Sequence, residues 1–385
     1  MTSDAFGNAK IKIPFFSPYI DEIDKKAVNI ALKSTLLTDG PRLREFEAKF
    51  SQFTGTKHAI GVSNATAALH LSLKTLGVGS GDEVIVPDMT FVATANAVLL
   101  TGATPVIVDV DESDMNMSVT SLKKSITPKT KAILPVHFAG KACKIDQMQR
   151  IAKSHNLFLI EDCAHAIGTK INGKHVGTFG DAGCFSFYPT KNITTLEGGM
   201  IITKGGKIAE LARSARNHGI TKSLNQRYTS KKPWDYDIVT PGYNYRLDEI
   251  RSSLGLSQLK KIVRLNYLRK KAFDYYNEKL QNVNGIEIPE KGLENEHSFH
   301  LYIVKVKKEF QISRDALYNR LLRSGIRTTV HYKPLHIFSV MKKKARIYDS
   351  LDNSKQLYHQ VLSLPFYPQI SRSQQDFVVN AISSI

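Results

Sequence analysis

Residues 183–203 read GCFSFYPTKNITTLEGGMIIT, two short apolar runs flanking a polar loop that holds one lysine, Lys191. The first run, Cys184-Phe185-Ser186-Phe187-Tyr188, is aromatic and alternating, which predicts a strand with Ser186 turned away from its aromatic neighbours. Met200-Ile201-Ile202 predicts the next strand. Pro189 stops the first strand, and Gly198-Gly199 permits close backbone approach or an unusual turn before the second. Lys191 is therefore expected on a tight connection at a sheet edge. An ammonium group is costly to bury, and most lysines face water. The functional alternative is a Schiff-base lysine, whose pKa falls on burial so that the neutral amine can attack a carbonyl. These residues alone leave both readings open.

Around this stretch a βα rhythm runs from residue 58 to about residue 204, with strands expected at 58–62, 84–86, 105–108, 132–136, 157–161, 183–187 and 199–203. Seven such strands predict an α/β fold with a mostly parallel sheet covered by helices. Ligand-binding residues should then gather at the strands' carboxyl ends. Ser63-Asn64-Ala65-Thr66 lies between the first strand and a helix with Leu69, Leu73 and Leu76 on one face, so the free amides there suit a phosphate. Ser63 and Asn64 serve equally well as plain N-caps. After Pro87, Phe91 is an aromatic in a loop, a core residue on ordinary grounds. The strand 157–161 runs into Glu161-Asp162-Cys163-Ala164-His165-Ala166, where the carboxylate of Asp162 needs solvent, a capping role or a cationic partner. Ser186 offers a hydroxyl for a phosphate five residues before Lys191.

Outside this region, a helix is predicted over Asp21–Lys33, and Thr38-Asp39-Gly40-Pro41 turns into a second helix with Leu43, Phe46, Phe50 and Phe53 on its core face. A polar, basic segment at about 220–240 reads as a loop near the substrate. Leu247, Ile250 and Leu254 open a long helix reaching about residue 280, followed by an alternating strand over Phe299–Val306 and a helix capped by Ser313 and ending near Gly325. This organisation divides the chain into a large α/β domain over residues 1–250 and a linking helix with a small α+β domain over 251–385.

The chain has 385 residues, of which 42% are apolar and 23% charged, ordinary values for a globular protein. No stretch is apolar and long enough to span a bilayer, and the first residues lack a signal-peptide core, so a cytoplasmic location with no membrane partner is expected. Cys143, Cys163 and Cys184 have no paired spacing and read as small buried apolar residues, without a disulfide framework or metal site. The net charge of +18 is diffuse, with clusters at Lys231-Lys232, Lys270-Lys271 and Lys342-Lys343-Lys344 and no nucleic-acid-binding motif beside them. A solvated basic face that helps attract a nucleotide diphosphate is the expectation.

The string FSFYPTKNITTLEGGM (185–200) resembles the cofactor-lysine segment of the DegT-type nucleotide-sugar aminotransferases, pyridoxal phosphate enzymes of fold type I. The likeness extends from LLTDGPRLREFE (36–47) to LPFYP (364–368), nearly the full chain. It implies an aspartate aminotransferase-like large domain with a seven-stranded sheet, and a Lys191 that holds pyridoxal 5'-phosphate and later shuttles a proton. It also implies that Asp162 pairs with the ring nitrogen, Phe91 stacks on the ring, His165 lies near the phenolic oxygen, and Ala65, Thr66 and Ser186 hold the phosphate. By the same resemblance Asn244 reaches the phosphate bound by a neighbouring subunit, giving a homodimer with composite sites. Tyr188, Arg246 and His331 are the implied substrate contacts. The implied amino donor is L-glutamate. The segments HFAGK (137–141) and KPWDYDIVTPGYNYRLDEI (232–250) resemble the branch that aminates C4 of UDP-linked 4-keto sugars. A dTDP- or GDP-linked keto sugar aminated at C3 or C4, a cyclitol ketone, and a cofactor-binding regulator without turnover are the alternatives. Lys191 itself argues against the related dehydratases, which carry histidine at that position.

Overall fold

The computed structural model describes residues 11–222, 229–238, 240–290 and 296–385. In chain order the strands are β1 (His58–Val62), β2 (Glu83–Pro87), β3 (Thr104–Val108), β4 (Thr130–Ile133), β5 (Phe158–Asp162), the hairpin β6 (Lys170–Ile171) and β7 (Lys174–His175), β8 (Ala182–Ser186), β9 (Gly199–Thr203), β10 (Ile286–Glu287), β11 (Ile303–Val306), β12 (Arg346–Ile347) and β13 (Val361–Ser363). The central sheet runs β1-β9-β8-β5-β4-β2-β3-β12. All seven expected strands are in it. The eighth, the two-residue β12, adds a parallel edge beside β3 and comes from far down the C-terminal part of the chain, at a position where no strand was expected.

β3, β2, β4, β5 and β8 are parallel neighbours, while β9 runs against both β8 and β1. β1 therefore points the same way as β8, so Val62, Pro87, Asp162 and Ser186 all end at one edge of the sheet. The strands are buried on both faces, as their unbroken apolar runs require. Helices α1 (Glu22–Leu32), α2 (Pro41–Thr54), α3 (Ala65–Thr75) and α4 (Ala93–Thr101) are the first four in the chain. Asp21 caps α1, accepting the amides of Ile23 and Asp24. α2 begins at Gly40-Pro41, which has no capping side chain. Glu249 does that work from a distant helix, accepting the amides of Gly40 (3.0 Å), Arg42 (2.8 Å) and Leu43 (2.9 Å). Leu43, Phe46 and Phe50 are buried and Phe53 partly so, which is the predicted face.

Two expected elements are shorter than their periodicity suggested. The long helix breaks at Lys260-Lys261 into Glu249–Leu259, capped by Asp248, and Ile262–Leu280. Lys261 is drawn out of the helical run to meet Asp21 at 2.5 Å and Asp24 at 2.8 Å on α1. The alternating run 299–306 is strand only from Ile303, because Phe299 takes a left-handed backbone (φ 54°) that ends pairing. The first strand of the lysine segment spans Ala182–Ser186, so Phe187 and Tyr188 belong to the loop.

The C-terminal part packs β10, β11 and β13 against Ile262–Leu280, Arg314–Arg323 and Arg372–Ser383 around Phe273, Tyr276 and Tyr302. Chain segments cross the 250/251 division in both directions. Ile13 packs in the C-terminal core and bridges to Ile326, while β12 joins the large sheet. The three cysteines are free and buried, as predicted. Of the predicted loop at about 220–240, residues 223–228 and 239 lie outside the described residues. Among the described residues no helix is long and apolar enough to cross a membrane.

Candidate active site

Strand register places the first group of residues. Val62 pairs with Gly199 and Gly199 with Ser186, so the end of β1 and the end of β8 flank the start of β9 in one row. α3 starts just beyond β1, capped by the Asn64 side chain on the amide of Ala67 at 2.8 Å. The amides of Ala65 and Thr66 in its first turn are left without an intrahelical partner. Gly199 is required for this approach: a Cβ there would lie 2.5 Å from the Asn64 carbonyl carbon and 2.8 Å from the Ala65 nitrogen. The helix positive end and the Ser186 hydroxyl thus share one corner, a cradle for an anionic group such as a phosphate.

Asp162 ends β5, buried at 5% exposure. Its Oδ1 accepts the Ala164 amide at 3.1 Å and its Oδ2 the Thr94 hydroxyl at 3.0 Å. Thr90 in turn donates to Thr94 at 2.9 Å. Burial pushes the Asp162 carboxyl pKa up, with these two donors and the Lys191 charge opposing the shift. Lys191 is the reciprocal case. Burial brings its amine down to about 8, with Asp162 opposing, and Lys191 Nζ makes no hydrogen bond or ion pair among the described residues. A buried anion and a half-buried, weakened cation therefore face one region, and among the described residues each is short of a partner.

His165 completes this wall. Its Nδ1 accepts the Ala139 amide at 3.3 Å, which leaves the ring proton on Nε2 to donate to the Tyr332 oxygen at 3.1 Å. Burial holds the imidazole pKa well below its usual value, so the ring is neutral near pH 7. Tyr332 lies 5.9 Å from Phe91, a ring that is 56% exposed at the end of β2. The loop carrying Tyr332 is anchored by His336, whose Nδ1 meets Asp88 Oδ2 at 2.6 Å while its amide donates to Asp88 Oδ1 at 2.9 Å. His331 beside it is turned to Ser363 (2.8 Å) and is pushed down to about 3 by burial, then by the Lys191 charge.

The DegT/DnrJ/EryC1/StrS aminotransferase family profile matches residues 18–383. The chain belongs to that family. It is 37% identical to the spore coat polysaccharide biosynthesis protein SpsC of Bacillus subtilis over 97% of both chains. Among solved structures it is similar to Helicobacter pylori PseC, an aminotransferase involved in the biosynthesis of pseudoaminic acid (TM-score 0.89, 32% identity, 97% of this chain and 98% of that one). It is equally similar to a sugar aminotransferase of Streptococcus pneumoniae solved in PLP, PMP and apo forms; the PMP form has a TM-score of 0.90 at 32% identity, covering 97% of this chain and 98% of that one. The protein is a pyridoxal phosphate-dependent sugar aminotransferase of nucleotide-sugar or polysaccharide biosynthesis. The cradle at Gly199, the exposed Phe91 face and the under-partnered Asp162 fit that cofactor's phosphate, ring and ring nitrogen.

The other predicted residues lie around the edge of this site. The backbone of Arg246 bridges to Val62 beside the cradle, while its side chain bonds Asn217 Oδ1 at 2.8 Å and lines a cavity of about 460 Å³ with Arg213 and Arg216, whose walls include none of Lys191, Asp162 and Phe91. Asn244 is exposed and bridges to Asn217. Tyr188 is 46% exposed, and its carbonyl accepts the Lys191 amide at 2.9 Å. Thr94 and Tyr332 were not predicted. Both lie close in sequence to residues read for other roles, Phe91 and His331, and only the fold brings them to Asp162 and His165.

Proposed function

We propose that this aminotransferase moves the amino group of L-glutamate to C4 of a UDP-linked 4-keto-6-deoxy hexose, in the cytoplasm, as a homodimer with composite sites. One observation carries the catalytic part: a half-buried lysine amine, lowered to a pKa of about 8, faces a buried carboxylate whose hydrogen bonds among the described residues come from two neutral donors. About a tenth of such an amine is neutral at pH 7, against about 0.03% of an ordinary lysine. Bound pyridoxal phosphate supplies the electron sink that stabilises negative charge at the donor's α-carbon. Lys191 Nζ takes up and returns the proton in both half-reactions, and Asp162 keeps the ring nitrogen charged. Neutral His165 donates through Nε2 without adding charge.

The sugar assignment rests on the resemblance of residues 137–141 and 232–250 to the C4-aminating branch, and on the likeness to PseC. The dimer rests on exposed apolar residues that a second copy would cover, Ile23 (65%), Trp234 (75%) and Leu196 (58%), and on the exposed Asn244. The test supplies the enzyme with pyridoxal phosphate and L-glutamate and offers UDP-, dTDP- and GDP-linked 3-keto and 4-keto sugars. Amination of the UDP-4-keto sugar is expected to be fastest. Preference for another nucleotide or for a 3-keto sugar would overturn the assignment.

A further inference from the structure

The residue after Lys191 is the centre of a buried polar network that the reaction does not use directly. Asn192 is 4% exposed. Its Nδ2 donates to the Asn266 Oδ1 and to the Ser298 carbonyl, both at 2.7 Å. With both amide protons spent, its Oδ1 is left as an acceptor, and His300 Nδ1–H fills it at 3.1 Å. Asn266 uses its own Nδ2 on the Ile167 carbonyl at 3.0 Å, so the orientation of every amide in the network is fixed by its neighbours. His300 is itself clamped. Its amide donates to the Ala139 carbonyl at 3.0 Å, its carbonyl accepts Arg269 Nη1 at 3.1 Å, and its ring lies 4.4 Å from that of His165. Arg269 is buried, its guanidinium lies 5.6 Å from the Phe366 ring centre, and among the described residues its hydrogen bonds go to the carbonyls of Phe299, His300 and Phe366. It therefore serves to pin this strap of chain, 297–301, which the left-handed Phe299 holds out of the neighbouring sheet.

We infer that Asn192 and His300 are positioning residues for Lys191: they hold the lysine's peptide against the strap 297–301 and so fix where its amine stands. The inference rests on the assignment of Lys191 as the cofactor-binding lysine. A flexible side chain on a mobile peptide would sample many positions, whereas a reacting amine must be held near its attack geometry. Asn192 makes the backbone one bond away immobile without touching the amine. Two of its partners also contact His165, the His300 ring at 4.4 Å between centroids and the Ser298 hydroxyl, which donates to the His165 carbonyl at 2.8 Å, so the same strap sets the spacing between the lysine and that wall.

The experiment compares wild type with His300→Phe, His300→Asn and Asn192→Ala, each checked for folding by thermal melting. Asparagine places an N–H donor where His300 Nδ1 stands; phenylalanine keeps the ring's bulk and removes it. The readouts are the rate at which apo-enzyme develops the visible band of lysine-bound pyridoxal phosphate, and kcat and KM for L-glutamate. His300→Phe and Asn192→Ala should slow band formation and lower kcat, by about 100-fold for a displacement near 1 Å, with KM changed less than about two-fold. His300→Asn should recover most of the loss. If His300→Phe fails to fold, Asn192→Ala and His300→Asn decide on the same readouts. Folded variants with wild-type band formation and kcat, or a loss that His300→Asn does not recover, would overturn the positioning role. A wild type that forms no band removes the Lys191 assignment instead, and this inference with it.

Discussion

Replacing Lys191 by methionine should make the cofactor-free protein more stable. In the native state the amine titrates at about 8, and in the unfolded chain at the ordinary 10.5. The native pKa is the lower one, so the unfolded state binds more protons between these values and wild-type stability rises with pH across that window. Below the native pKa the penalty is complete. At pH 7 it comes to about 3 kcal/mol, and at pH 9.5 to about 1.4 kcal/mol. Methionine fills similar volume without a charge, so its own packing gain is the same at both pH values. The difference between the two is therefore the charge contribution alone, about 2 kcal/mol. The assay is urea unfolding of apo wild type and Lys191→Met at pH 7 and pH 9.5, followed by circular dichroism. The stabilisation by methionine should shrink on going to the higher pH. A gap that stays constant between the two pH values would mean that Lys191 titrates like a solvated lysine and that the active-site reading is wrong.

Asp162→Asn should leave the apo-enzyme's stability within about 1 kcal/mol of wild type or raise it, because burial already disfavours the carboxylate, while kcat falls by about two orders of magnitude or more; comparing unfolding with turnover separates the two effects. Glu161→Gln should do the reverse, costing about 3 kcal/mol or more in unfolding because a buried anion with several donors loses its charge. Asn244→Ala should weaken cofactor retention on dialysis if the residue reaches a neighbouring subunit's site, and an unchanged dissociation constant would remove it from the composite site.

Much of this was legible because the chemistry sits where strands end. Seven apolar runs with short connections specify a two-face-buried sheet, and parallel βα order then sends Ser63, Phe91, Asp162 and Ser186 to one edge without further information. Periodicity failed where a tertiary contact outweighed it. The helix after Leu247 has a continuous apolar face, yet Lys261 leaves it for two carboxylates on α1. The run 299–306 alternates like a strand, yet its first residues become the strap beneath Asn192. Thr94, Tyr332 and His300 were illegible for a related reason. Each acts through one hydrogen bond to a partner dozens to more than a hundred residues away, and a lone hydroxyl or imidazole in sequence carries no sign of that partner.

Glu161 and Asp162 show how far residue type alone misleads. They are adjacent acidic residues on one strand, both buried, and strand alternation sends their side chains to opposite faces of the sheet. Glu161 accepts the amides of Gly177 (2.6 Å), Phe179 (2.8 Å) and Gly180 (2.8 Å) and meets His137 Nε2 at 3.0 Å. With His137 and Cys163 it has the ligand types of a metal site, but its oxygens are already filled by the turn it organises. These contacts hold its pKa down against the cost of burial. Asp162 has two neutral donors, and its pKa goes up. The protein fills the hydrogen-bonding capacity of Glu161 and leaves that of Asp162, the carboxylate proposed to act on the cofactor, short. The same asymmetry marks Lys191, half-buried with no acceptor for its amine among the described residues, beside Asn192, whose amide has a partner at every position. A cofactor enters where folding has left buried charge unanswered, and that incompleteness can be read before any ligand is bound.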